Sequence, residues 1–351
     1  MAGGIGSRFW PLSKNQKPKQ FMDILGVGRT LLQQTFDRFA PFIDEERIYV
    51  STHESYVALV KEQLPDLHEK QILVEPLRKN TAPCVLFATH RISSMDEDAN
   101  VVISPSDHIV LDKKKFRECI QLGFDAAEKK DILITLGIKP LRPDTGYGYI
   151  QYHDEKHEEG VHKVKTFTEK PTLDIARTFL ESGDFLWNAG IFVFNVKTIL
   201  KAYHRLLPDM YDLFNEGKKV YNTPREAEFI SKVYATVQSM SIDIGVMEKA
   251  KNVCVIPSDF GWSDLGTWAS LYESYPKDYF GNAVSGKNVM IVDSKNNMVM
   301  MPNHKLAVLH GLDDFIVVDT EEALLICPKN KEQEIKQIVA DIRRQKGDRW
   351  L

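Results

Sequence analysis

Leu31, Leu32, Phe36 and Phe39, with Thr35 among them, recur at helical spacing and predict an amphipathic helix over residues 30–42. Short apolar runs over 47–51, 71–74, 100–104 and 132–136 predict strands, and helix-patterned stretches over 56–64, 81–95 and 116–129 fall between them. This alternation predicts a mostly parallel three-layer α/β sheet, whose ligands gather beyond the carboxyl ends of the strands. Loops at Glu75, Asp107 and Gly137 are then expected near a ligand. Runs over 147–152, 161–167 and 185–194 predict added strands, helices continue to about 250, and 253–256 predicts a last strand. After Tyr275-Pro276 the texture changes. Closely spaced β-rich runs over 289–292, 306–309 and 315–318, punctuated by Asn, Asp, Gly and His, predict an all-β module with a loose recurrence. A charged helix over 331–346 closes the chain, and the expected domains are 1–276 and 277–351.

Composition narrows the class. A chain of 351 residues exceeds what one compact core needs, and 43% hydrophobic with 27% charged residues suits a globular protein in water. A net charge of −4 provides no footprint for nucleic acid or for an acidic membrane. No apolar run reaches membrane-spanning length, and no charged-then-apolar leader is present. Cys84, Cys119, Cys254 and Cys327 are scattered without a C-x-x-C pair, which points to reduced thiols in a cytoplasmic protein rather than zinc or disulfides.

Candidate chemistry begins at Gly3, Gly4 and Gly6, followed by Arg8 and, beyond Pro11 and Pro18, Lys19. Closely spaced glycines let backbone N–H groups approach an anion, and the two cations offer a planar fork of donors and a compact charge to phosphate. A plain glycine-rich turn is the alternative. The spacing fits neither a P-loop nor the dinucleotide G-x-G-x-x-G.

Asp107, in Pro105-Ser106-Asp107-His108, follows an apolar strand, where a carboxylate suits Mg²⁺ or simply forms a turn. Asp264 lies between Trp262 and Trp268 with glycines on both sides, as a presented acid or as a cap for the helix that starts near Thr267. Glu169 and Lys170 end a strand, where extended neighbours would point to opposite faces rather than pair. Asn188 stands in an apolar run, so its amide needs partners, which sugar hydroxyls or a neighbouring strand would supply. Gly146, in Thr145-Gly146-Tyr147-Gly148, would let a sugar lie near the backbone or would form a plain turn.

The order of these pieces is more specific than any one of them. The glycine loop, Glu75-Pro76 with Asn80-Thr81-Ala82-Pro83, Ser106-Asp107-His108, Thr145-Gly146-Tyr147-Gly148, Glu169-Lys170-Pro171, Trp187-Asn188-Ala189-Gly190 and Trp262-Ser263-Asp264 resemble the mannose-1-phosphate guanylyltransferases among the sugar-1-phosphate nucleotidyltransferases. Ser241-Ile242-Asp243 and Met247-Glu248-Lys249 share the resemblance without an assigned role. It implies a Rossmann-like α/β nucleotide-diphospho-sugar transferase domain, a small left-handed β-helix-like module with a terminal helix, and subunit contacts, as in a homodimer, through that module. It implies GTP and mannose 1-phosphate as substrates and Mg²⁺ as cofactor. Arg8 and Lys19 would meet the triphosphate, together with Gly3, Gly4, Gly6 and Ser106; Asp107 and Asp264 would hold Mg²⁺. Lys170 would position the sugar phosphate, Glu169, Asn188 and Gly146 the mannose, and Glu75 and Asn80 mark the region of base recognition. A different sugar or nucleotide, or a non-catalytic regulatory relative, remains open. In the family a buried strand precedes the glycine loop, whereas Met1 here abuts it, so a truncated start is expected.

Overall fold

Along the run Phe185–Asn195, alternate residues enter different cores. Ile191 and Val193 pack with Phe116, Ile120 and Ala127, whereas Phe192 and Phe194 pack with Val85, Leu86, Ile199 and Tyr203. A strand buried on both faces lies in the middle layer of three. Emptying one such position, for example Phe194→Ala, costs about 3–5 kcal/mol.

The computed structural model describes residues 1–158 and 160–351. Contacts divide the chain into two compact units that do not follow chain order. One comprises Met1–Gly3, Phe36–Ser106 and Val110–Trp262; the other comprises Gly4–Thr35, Asp107–Ile109 and Ser263–Leu351. The helices are α1 (Leu31–Phe39), α2 (Val57–Gln63), α3 (Thr81–Ser93), α4 (Lys113–Lys129), α5 (Leu173–Ser182), α6 (Val196–Leu206), α7 (Pro208–Asn215), α8 (Glu226–Thr236), α9 (Trp268–Ser274) and α10 (Ile335–Lys346). The first strands are β1 (Val50–His53), β2 (Ile72–Glu75), β3 (Asn100–Ile103), β4 (Ile109–Val110), β5 (Leu133–Ile138), β6 (Tyr149–Glu158), β7 (Val161–Thr168), β8 (Phe185–Asn195), β9 (Val253–Ser258) and β10 (Trp262–Ser263).

In the first unit a six-stranded sheet runs β3-β8-β5-β9-β7-β6. Of its neighbours only β5 and β9 are parallel; β8 runs antiparallel to both β3 and β5, and β7 to both β9 and β6. The expected mostly parallel sheet is therefore mixed. A strand covered on both faces reads the same in either direction, so its apolar run carries no sign of orientation. β1 and β2 form a separate parallel pair. The chain start docks beside them: Ala2 N donates to the Ser51 carbonyl at 2.6 Å, and the Met1 carbonyl accepts from Ser106 N at 3.0 Å.

Two further expectations shift. The strand expected over 47–51 starts at Val50, because Glu45–Arg47 forms a 3-10 turn. Gly137 lies inside β5 rather than in a loop, and an added Cβ would stand 2.6 Å from a Leu186 side-chain atom.

The second unit joins the glycine segment to the C-terminal strands β11 (Ala283–Ser285), β12 (Val289–Val292), β13 (Met298–Met300), β14 (Ala307–His310), β15 (Phe315–Asp319) and β16 (Leu324–Pro328). β11, β13 and β15 stack in parallel with Ala283 on Met298 on Ile316, and β12 stacks on β14 with Val289 on Ala307. The chain thus coils, returning to each face every turn. Buried Asn297 staples successive coils: its Nδ2 donates to Asn282 Oδ1 at 3.0 Å and to the Leu312 carbonyl at 2.9 Å, and its Oδ1 accepts from Phe315 N at 2.8 Å. Among the described residues no helix is long and apolar enough to cross a membrane.

Candidate active site

The second unit holds a cleft of about 290 Å³ lined by the glycine-loop residues Gly6, Ser7, Arg8 and Phe9 and by Lys19, Asp107, His108, Asp264, Leu265, Gly266 and Lys336. Gly6 starts its wall. It takes a left-handed φ of 64°, and a Cβ there would stand 3.0 Å from Lys19 Cβ, so both the turn and the packing demand glycine. Ser13 ties the two segments together, its Oγ donating to the Ile5 carbonyl at 2.9 Å and accepting from Lys19 N at 3.0 Å. Pro11 and Pro18 limit the freedom of this span.

Lys19 is almost fully buried, and its Nζ lies 2.8 Å from Asp107 Oδ2. The same ammonium donates to the carbonyls of Asp264 at 2.7 Å and Leu265 at 3.1 Å. It also stands over the Phe9 ring at 5.6 Å. Burial pushes the Asp107 carboxyl up, but Lys19 and, behind it, His108 outweigh that and hold it below the usual carboxylate range. The Asp107 side chain remains 33% exposed, so it is ionised and still reachable.

The Arg8 guanidinium makes no ion pair or hydrogen bond among the described residues. Nor do the backbone N–H groups of Gly4 and Gly6. Asp264 Oδ1 accepts from Gly266 N at 2.8 Å, and Leu265 takes a positive φ of 44°. The helix cap that Asp264 could have been is Thr267 instead, whose Oγ1 accepts from Ser270 N at 3.2 Å. Arg8, Lys19, Asp107 and Asp264 are thus brought together on one cleft, as four separate stretches of sequence.

The first unit gathers the remaining candidates in two places. Asn188 Oδ1 accepts from Thr135 Oγ1 at 2.8 Å and from Gly190 N at 3.1 Å, and its Nδ2 donates to Asp243 Oδ1 at 2.8 Å. The neighbouring-strand partner is therefore present. Glu169 and Lys170 do pair, contrary to the extended-strand expectation, because Lys170 takes a φ of 46° and turns its side chain back. Gly148 makes a close approach, since a Cβ there would meet Glu169 Oε2 at 2.5 Å. Gly146 N donates to Asp144 Oδ1 at 2.8 Å within its turn.

Sequence reasoning left Asp243 and Glu248 without a role. Asp243 holds the Asn188 amide, and Glu248 Oε1 accepts from Glu169 N at 2.8 Å, so this pair positions both. Burial first, and repulsion from Glu169 second, push the Asp243 carboxyl up to about 6. The signals in the sequence were the family resemblance of the two stretches that hold them and two acids five residues apart beside an apolar stretch.

Glu75 is buried, accepting from Ser51 Oγ at 3.0 Å and Tyr234 OH at 3.0 Å, and burial raises its carboxyl above the usual range. Gly3 lies beside it, with a built Cβ 3.6 Å from Glu75 Oε1. Asn80, at a φ of 67°, accepts from Thr81 N at 2.9 Å and opens α3. Ser106 Oγ donates to the Met1 carbonyl at 2.9 Å. Among the described residues no group of three or more His, Cys, Asp or Glu side chains could by itself hold a metal ion.

A Rossmann-like sheet with a phosphate-suited cleft defines a class, and comparison agrees. Residues 1–279 match the Nucleotidyl transferase family, and residues 287–342 match the MannoseP isomerase/GMP-like beta-helix domain. The chain belongs to the nucleotidyl transferase family. Among its relatives is the alginate biosynthesis protein AlgA of Pseudomonas syringae, 37% identical over 98% of this chain and 71% of the relative. The mannose-1-phosphate guanylyltransferase of Salmonella muenchen is 35% identical over 97% of this chain and 72% of the relative. The crystal structure of the mannose-1-phosphate geranyltransferase of Thermus thermophilus superposes with a TM-score of 0.86 at 30% identity, covering 98% of each chain.

Proposed function

We propose that this enzyme transfers GMP from GTP to α-D-mannose 1-phosphate, forming GDP-mannose and pyrophosphate. The observation that carries the reading is the cleft in which an unpaired Arg8 and a fixed Lys19 face the two carboxylates Asp107 and Asp264. The specific sugar and base rest on the resemblance to the relatives named above.

A sugar phosphate is largely a dianion at neutral pH, since its second pKa is about 6, and so needs no general base. Its oxygen attacks the α-phosphorus while the bond to the β-phosphate oxygen breaks and pyrophosphate departs. The protein's task is in-line placement and relief of repulsion between anions. Arg8 and the N–H groups of Gly3, Gly4 and Gly6, with Ser106, take the triphosphate. Lys19 shares that task and keeps Asp107 ionised. The donor set fits Mg²⁺ held chiefly by substrate: two carboxylates line one cleft, and this cation commonly takes only one or two from protein. When bound, Mg²⁺ would neutralise charge on the reacting phosphates. Lys170 receives the sugar phosphate, Glu169, Asn188 and the Gly146 backbone the mannose, while Glu75 and Asn80 border the base.

Residues 1–276 form the transferase part and 277–351 the accessory module in this reading. The module joins two copies as a homodimer, and the exposed Met290, Val308, Leu324 and Ile326 supply apolar surface for it. Four cysteines outside any disulfide suit the cytoplasm.

The test is pyrophosphate release with Mg²⁺ from GTP, ATP, UTP and dTTP, each paired with mannose 1-phosphate and glucose 1-phosphate. Turnover confined to GTP with mannose 1-phosphate is the expected result. Preference for another pair would move the specificity, and silence with every pair would sink the catalytic reading.

A further inference from the structure

Helix α10 brings a cation to the cleft that no motif in the sequence marks. Ile335 and Val339 are buried in a core shared with Phe9, Trp10 and Trp268. Glu332 Oε2 accepts from Ala269 N at 2.8 Å, and Trp10 Nε1 donates to the Trp350 carbonyl at 2.7 Å. These anchors set the first turn of α10 against the glycine loop, so that Lys336 lines the cleft beside Arg8 and Lys19.

A helical lysine is most often a solvated surface charge, paired with an acid one turn away. Positions 339 and 340 are Val and Ala, and the acid one turn back, Glu332, is bonded to Ala269. Lys336 has no ion pair or hydrogen bond among the described residues. Lys19, by contrast, is already engaged by Asp107 and two carbonyls. A triphosphate carries more negative charge than Arg8 and a Lys19 already balanced by Asp107 can meet.

We propose that Lys336 binds the outer phosphates of the nucleotide, and the departing pyrophosphate, alongside Arg8. The terminal helix is then a working part of the nucleotide site as well as a brace behind it. The inference rests on the nucleotide reading above. It extends that reading to a residue outside the part of the chain that carries the transferase motifs.

Inorganic tripolyphosphate, titrated by calorimetry in Mg²⁺ buffer against the full chain, reads the contact without turnover. Lys336→Gln is expected to weaken binding roughly three- to tenfold, the weight of one partly screened charge contact on a polyanion. It should also flatten the dependence of binding on ionic strength, and Lys336→Arg should restore both. In turnover, the KM for GTP should rise while that for mannose 1-phosphate stays. The side chain is exposed, so thermal melting should not change. Arg8→Gln separates the outcomes. If it weakens tripolyphosphate and Lys336→Gln does not, the role of Lys336 is overturned and the nucleotide site stands. If neither variant changes binding, the nucleotide reading of the cleft falls, and this inference with it.

Discussion

Lys19 gains its meaning from what surrounds it. Removing its charge by Lys19→Met leaves the burial of Asp107, which raises a carboxyl, without its main opponent, His108 being the lesser one. In the intact protein the Asp107 pKa is depressed. Its stabilising contribution is therefore complete above the unfolded value of about 3.9 and is lost as pH falls through the lower folded value. Lys19→Met should move the Asp107 titration upward by carboxyl NMR and cost about 1–3 kcal/mol, discounted for the exposed third of Asp107. Asp243 has the opposite sign. Its folded value is raised to about 6, so its contribution is full below about pH 4 and is lost as pH rises through 6. Asp243→Asn should flatten that pH dependence and add about 1–2 kcal/mol at pH 7.5, after allowance for screening. Denaturant melts at pH 4.5 and 7.5 would check it; an unchanged slope would contradict the assignment.

At the scale of elements, the coiled strands depend on side chains that replace missing ladder partners. Asn297 is fully buried and serves Asn282, Leu312 and Phe315 at once. Asn297→Ala strands the Phe315 N–H, while the Leu312 carbonyl keeps its bond from Lys295 N, and the expected loss is about 1–3 kcal/mol. Hydrogen exchange should show the loosening confined first to 282–319, whereas uniform loosening would argue against a local staple. The recurrence that looked loose in the sequence has this cause: Asn282 and Asn297 occupy the same corner of successive coils, but the third coil offers Phe315. Strand direction was hidden for a related reason. β8 is buried on both faces, so its pattern carries period but no polarity.

For the whole molecule, chain order and compactness part company. The glycine segment Gly4–Thr35 and the C-terminal strands share one core, with Phe9 and Trp10 packed against Trp268, Ile335, Val339 and Leu351. Ending the chain after Glu334 would remove Ile335, Val339 and Leu351 from that core. At about 1.5–3 kcal/mol for each large buried side chain, the loss is comparable to an ordinary domain's whole stability. The expected result is a proteolysis-sensitive glycine segment and lost GTP binding, read by limited digestion and by calorimetry. Full protection of residues 4–35 in the shortened chain would refute this account.

Periodicity determined by itself the α/β class and an all-β C-terminal module. The order of motifs, through the resemblance it carries, determined the family, the coil of that module and the candidates Gly6, Arg8, Lys19, Asp107 and Asp264 now found on the cleft. Those features follow from local periodicity and from residue types whose chemistry is specific, and both survive in a one-dimensional record. Only the tertiary structure decided that Glu169 and Lys170 pair, that Asp243 and Glu248 hold Asn188 and Glu169, and that Lys336 reaches the glycine loop. Each of these depends on a left-handed turn or on contacts between distant segments. Such contacts come from packing free energy spread over many residues, and no single stretch of sequence records it.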